Sequence, residues 1–172
     1  MQGPAAPILM VDYTRKYGPA AIGARLRRLS ESIDEDAGRI YAELGIDFQQ
    51  RWVGILEQLH ERGAQPVGEL AASLGIRHSS VSQTRRSLEE AGLVESQVDP
   101  QDGRSRLLRL STGGKELVRR LQPLWKILNA ASLELDAEAD HVIAALDRLD
   151  RALERLSLYD RVRQKLASRR PR

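Results

Sequence analysis

Two short amphipathic stretches joined across one glycine constrain this chain more than any other feature. Val67, Leu70, Ala71 and Leu74 recur at i, i+3, i+4 and i+7, which is one face of a short helix. Pro66 stands at its start, where a missing N–H costs nothing. Gly75 supplies the left-handed residue that ends a helix, and Ile76-Arg77-His78 leads straight into the next one. That second helix is predicted over 78–91. Ser79 or Ser80 can cap it, Val81, Leu88 and Ala91 form its inner stripe, and Gly92 stops it. Two helices across so short a turn make a helix-turn-helix.

The hydrophobic period then changes. Leu93 to Val98 is short, partly β-branched and bounded by Asp99-Pro100. Gln101-Asp102-Gly103 is turn chemistry, and Arg104 to Leu110 reads as a returning strand. The hairpin is a two-stranded wing, so the expected fold is mainly α, a winged helix-turn-helix.

Long helices flank this core. Ile22, Leu26, Leu29, Ile33, Ala37, Ile40 and Leu44 form one stripe over 19–44, ended by Gly45. A second helix carries Phe48, Trp52, Ile55, Leu56 and Leu59 as far as Gly63. Ser111-Thr112 caps a helix striped by Leu117, Leu121, Leu124, Leu128, Ala131 and Leu135, with Pro123 as a kink site. Asp136 can cap the last helix, where Val142, Leu146, Leu149, Leu153 and Leu156 repeat at 4-3-4-3, the seam of helices packed lengthwise. The expected organisation is an irregular extension over 1–18, a winged helix-turn-helix domain over 19–160, and a basic tail over 161–172 that frays. The reading part spans about 64–111, and the dimerisation helices about 19–44 and 112–166.

Composition narrows the chemistry. The 172 residues include no cysteine, so thiolate catalysis, Cys-ligated zinc and thiol redox sensing are excluded together. His60, His78 and His141 are too scattered for a zinc site. There is no phosphate-cradling glycine loop, no HExxH and no Ser-His-Asp signature, and Gly113-Gly114 reads as a helix start. The expectation is a non-enzyme without cofactor or metal. Met1 to Val11 makes a poor signal peptide, and no apolar run nears the roughly 20 residues that span a bilayer. The chain therefore reads as full-length and cytoplasmic, with no membrane partner.

The charge distribution points to duplex DNA. The major groove admits one helix, whose first residues reach base edges and must be small or polar. Here these are His78, Ser79, Ser80, Ser82 and Gln83. Arg77, Arg85 and Arg86 lie in a stretch without an acid, and Arg104, Arg106 and Arg109 follow on the wing. An arginine at a hairpin tip suits the narrow, electronegative minor groove. Each feature also has a plainer reading. The serines can be caps alone, and Arg85 and Arg86 a solvated face. Trp52 and Trp125 read first as core, with an effector pocket as the alternative. A winged helix that binds protein rather than DNA is the competing function, but it does not need arginines at both the reading helix and the wing.

The stretch Val67-Gly-Glu-Leu-Ala-Ala-Ser-Leu-Gly-Ile, then Ser80-Val-Ser-Gln and Leu88-Glu-Glu-Ala-Gly-Leu-Val, resembles the MarR family of bacterial regulators. So does Asp99-Pro-Gln-Asp-Gly-Arg-Ser-Arg-Leu-Leu-Arg-Leu-Ser-Thr-Gly-Gly, with the family's Asp-x-Arg wing signature. The resemblance implies a homodimer on a near-palindromic operator, acting as a transcriptional regulator and most often a repressor. It also implies Arg104 in the minor groove, with Asp102 orienting it beside Gly103. Ser79, Ser80, Ser82, Gln83 and Arg86 would face bases or phosphates. Gln83 departs from the family, which often has Arg there, and Gln pairs best with adenine. Many members release DNA on binding a small aromatic effector.

Overall fold

A computed structural model describes residues 13–98, 103 and 106–168. They divide into two units, Met1–Arg119 and Arg120–Arg172. In the first unit, a one-turn helix α1 (Tyr13–Lys16) lies inside the segment expected to be irregular. A 3-10 turn at Gly18–Ala21 then leads into α2 (Ile22–Glu43). Only Ala37 and Tyr41 of α2 are buried. The rest of its apolar stripe stands open, with Leu29 47% and Ile33 53% exposed.

A 3-10 turn at Gln50–Trp52 precedes α3 (Val53–Arg62). Phe48 and Trp52, expected on that helix, sit ahead of it, and Phe48, Trp52, Ile55, Leu56 and Leu59 are all buried. Phe48 links Tyr41 of α2, 4.6 Å away, to Trp52, 5.5 Å away. Next come α4 (Val67–Leu74) and α5 (His78–Glu90), which pack on each other. Between them Gly75 takes φ +65°, where a side chain would be strained. Its N–H bonds to Ala72 O and the Ile76 N–H to Ala71 O, so the turn satisfies the last carbonyls of α4.

Among the described residues the sheet has three strands, where two were expected. β2 (Val94–Val98) pairs antiparallel with β3 (Arg106–Leu110), and β3 also pairs with β1 (Gln65–Pro66) in the order β1-β3-β2. β1 escapes sequence reading because it is two residues long and ends in proline, which is tolerated only at an edge. The central residue Leu108 faces Gln65 on one side and Ser96 on the other, and is fully buried.

As expected, Ser111 caps α6 (Thr112–Glu138), its Oγ accepting the Gly114 N–H at 2.9 Å. The same hydroxyl donates to Gly92 O at 2.7 Å, fastening the helix start to the end of α5. Gly114 has a second role that its place at a helix start did not reveal. A Cβ there would stand 2.0 Å from the backbone oxygen of Leu93. Gly114→Ala therefore requires the backbone to move. It should cost about 1–3 kcal/mol and lower the melting temperature by several degrees, whereas Gly113→Ala, whose Cβ clears its neighbours at 3.7 Å, should not. Equal melting temperatures for the two variants would contradict the close approach.

The second unit holds the rest of α6, which continues helical through Pro123, followed by α7 (Val142–Arg155) and α8 (Leu158–Ser168). Asp140 and His141 both take positive φ in the turn before α7. Asp136 lies inside α6, yet it does the capping expected of it, because its carboxylate accepts the Ile143 N–H at 2.9 Å. The single last helix foreseen from the leucine repeat is broken at Leu156-Ser157. Ser157 caps α8 by accepting the Asp160 N–H at 3.1 Å. Arg161 donates to Leu156 O at 3.0 Å and Ala152 O at 2.8 Å, closing the end of α7. The tail expected to fray from Arg161 is thus helical to Ser168, with Arg161 serving as a cap. Neither α7 nor α8 has a buried residue. Among the described residues no helix is long and apolar enough to cross a membrane.

Candidate nucleic-acid interface

Helix α5 presents two opposite faces. Val81, Thr84 and Leu88 are buried, which seats the helix on the first unit's core. Thr84 takes the place expected of Ala91, which is exposed past the helix end. A 3.6-residue period then turns Ser79, Gln83, Arg86 and Glu90 outward together, and all four are exposed. Arg77, His78 and Ser80 complete the open end.

The start of α5 is not capped by a serine. Arg77 is the N-cap in extended conformation, with no side-chain cap bond, and its carbonyl accepts the Ser80 and Val81 N–H groups at 2.9 and 3.2 Å. Ser79 and Ser80 are therefore exposed hydroxyls at a helix N-terminus, where backbone N–H groups and the helix dipole favour an anion. Ser82 is half-buried, and its Oγ lies 3.4 Å from Nδ1 of His78.

The arginines divide. Among the described residues Arg77, Arg86 and Arg106 have no ion-pair partner and are exposed. Arg85 is withdrawn from this set. Its guanidinium donates to Glu89 at 2.6 Å and reaches Ser96 of β2 at 3.4 Å, and Ser96 in turn donates to Glu89. Arg109 is also occupied, in a cross-strand pair with Glu95 at 2.7 Å, as their register dictates. The wing brings Arg106 to the first position of β3, with Gly103 exposed in the turn. Asp102 and Arg104 lie outside the described residues.

Of the two tryptophans, Trp52 belongs to the first unit and Trp125 to the second, and both are buried. The Trp52 indole N–H donates to Ser87 Oγ on α5 at 3.2 Å, and Arg51 donates to the same oxygen at 3.4 Å. Trp52 is thus a core residue that anchors α5. Sequence reasoning missed Ser87, Glu89 and Ser96. The i, i+4 spacing of Arg85 and Glu89 was a usable signal for the ion pair. Nothing local points to Ser96, which meets them only once the wing folds back.

A model of the MarR family matches residues 44–105, from the end of α2 through the wing turn. The HTH-type transcriptional repressor IacR of Pseudomonas putida is 26% identical over 129 residues, 75% of this chain and 73% of that protein. The fold is similar to that of MepR of S. aureus, solved in complex with DNA (TM-score 0.63, 19% identity, 77% of this chain and 97% of that one). It is similar also to BpsR of Bordetella bronchiseptica, whose DNA binding is regulated by 6-hydroxynicotinic acid (TM-score 0.61, 19% identity, 86% and 98%). With its helix-turn-helix, wing and flanking helices, this chain has the winged helix-turn-helix fold of these structures, and its residues 44–105 are similar to the MarR family.

Proposed function

We propose that the protein represses transcription by binding a near-palindromic duplex site as a homodimer, with α5 of each copy in the major groove and the wing tip over the adjacent minor groove. The observation that carries this is the outward row Ser79, Gln83 and Arg86, backed by an uncapped helix start. Small polar groups let the backbone approach, Gln83 can pair with an adenine edge, and Arg77, Arg86 and Arg106 meet phosphates or guanine. The contact set expected from sequence is kept without Arg85, whose charge is spent on Glu89. Arg104 remains the minor-groove candidate, oriented by Asp102. Repression follows the relative named a repressor, and release by a small aromatic molecule follows the ligand-regulated BpsR. Half-site centres should lie about one helical turn apart, roughly 10 bp.

Selection of bound sequences from a random duplex pool tests this directly. A palindromic consensus is expected. Gln83→Ala should then relax one or two base pairs per half-site, by about 1–3 kcal/mol each, and leave the salt dependence unchanged. A pool that returns no consensus would remove sequence-specific binding. A consensus indifferent to Gln83→Ala would move the reading face elsewhere on α5.

A further inference from the structure

Arg85, Glu89 and Ser96 form a polar triangle beside the interface that DNA contact does not explain. It joins two elements that must act together. Arg85 and Glu89 sit on the flank of α5, and Ser96 sits on β2, the wing strand. Arg85 is only 16% exposed and Glu89 29%, so the pair is partly shielded and less screened than a surface bridge. Each member holds the other two. Arg85 donates to both partners, Ser96 donates to Glu89, and the charge cancels inside the triangle.

We propose that this triangle is a positioning latch that fixes the reading helix against the root of the wing, and that Glu89 also keeps Arg85 off the phosphates. The inference rests on the DNA-reading function proposed above. A specific complex needs the helix in the major groove and the wing in the minor groove at once, so it gains from a fixed angle between them. Non-specific binding rests on charge near the backbone and tolerates a range of angles. The latch should therefore act on the ratio of operator to random-duplex affinity, while a residue needed only for folding would act on melting temperature.

The test uses the full chain, the operator returned by selection and a random duplex of equal length. Ser96→Ala cuts the wing leg and leaves the ion pair, so operator affinity should fall about tenfold with random-duplex affinity and salt slope unchanged. Arg85→Met should also lower operator affinity and leave the salt slope unchanged, because a latched arginine contributes no phosphate contact; the bared Glu89 carboxylate should lower random-duplex affinity only slightly. Glu89→Gln breaks the pair and frees Arg85 in both copies. Operator affinity should fall, random-duplex affinity should rise, and the salt slope should steepen by about 2. All three variants should melt as dimers within a few degrees of the wild type. If Arg85→Met weakens random-duplex binding and flattens the slope by about 2 instead, Arg85 is a phosphate contact and the latch is wrong. An unchanged affinity ratio in all three variants overturns it as well, as does a loss of ratio that only tracks a fall in melting temperature. A wild-type protein that ignores duplex altogether overturns the DNA-reading function itself, and the latch with it.

Discussion

Affinity for duplex DNA should fall about 10³- to 10⁴-fold between 50 and 200 mM salt. The figure comes from counting cations that are free to meet phosphate. Arg77, Arg86 and Arg106 are exposed and unpaired among the described residues, and Arg104 is the wing-tip candidate. Four per copy is eight per dimer, and geometry will leave some short of a phosphate, so on the order of 6–8 are neutralised. Each releases condensed counterions, and log affinity then falls with log salt at a slope of about −0.9 per phosphate. Arg85 and Arg109 are left out because Glu89 and Glu95 already hold them. A slope near zero, or no binding at 50 mM salt, would sink the DNA-binding function. A slope well beyond −8 would mean that the paired arginines open on binding. The local arrangement of exposed arginines, not the net charge of +3, sets this salt dependence.

The helix-turn-helix was legible residue by residue because each of its signals is local. Period 3.6 marks α4 and α5, and Gly75 and Gly92 mark their ends. Ser111 announces α6 by its position before a long leucine stripe. What sequence reasoning missed depends on segments meeting in space. β1 exists only because β3 lies beside it, and Gly114 is constrained only because Leu93 passes over it. Thr84 is buried because it lies three residues after Val81 and four before Leu88 on the inward face, whereas Ala91 stands just past the end of α5 and is exposed. The break between α7 and α8 is a local signal that was overlooked. Ser157-x-x-Asp160 is a capping pattern, but the regular leucine spacing reads through it as one helix. At the interface, the outward row of α5 followed from periodicity. The division of its arginines into free and latched did not, since only the folded wing places Ser96 beside Arg85.

Ile33→Glu combined with Leu29→Glu should convert the protein to monomers and cut operator affinity to that of an isolated half-site. On a single copy, α2 leaves Ile22, Leu26, Leu29 and Ile33 between 38% and 53% exposed, although they line one helical face. A contiguous exposed apolar stripe of this kind marks a protein interface. In a two-fold pair the same stripe is covered in both copies, so each substitution acts twice. Burying four unpaired carboxylates should weaken association by about 4 kcal/mol or more, roughly a thousandfold. The reading unit should survive, because its core is built from Tyr41, Leu56, Leu70, Val81, Leu88 and Leu108, none of which is altered. Sedimentation should therefore show a folded monomer at micromolar concentration. That monomer should still bind random duplex, with about half the wild-type salt slope, since one copy brings half the arginines. Operator affinity should drop to that of an isolated half-site. A variant that remains dimeric would place the interface away from this stripe. A monomer that binds the full operator as tightly as the wild type would show that pairing of copies is not what reads the palindrome.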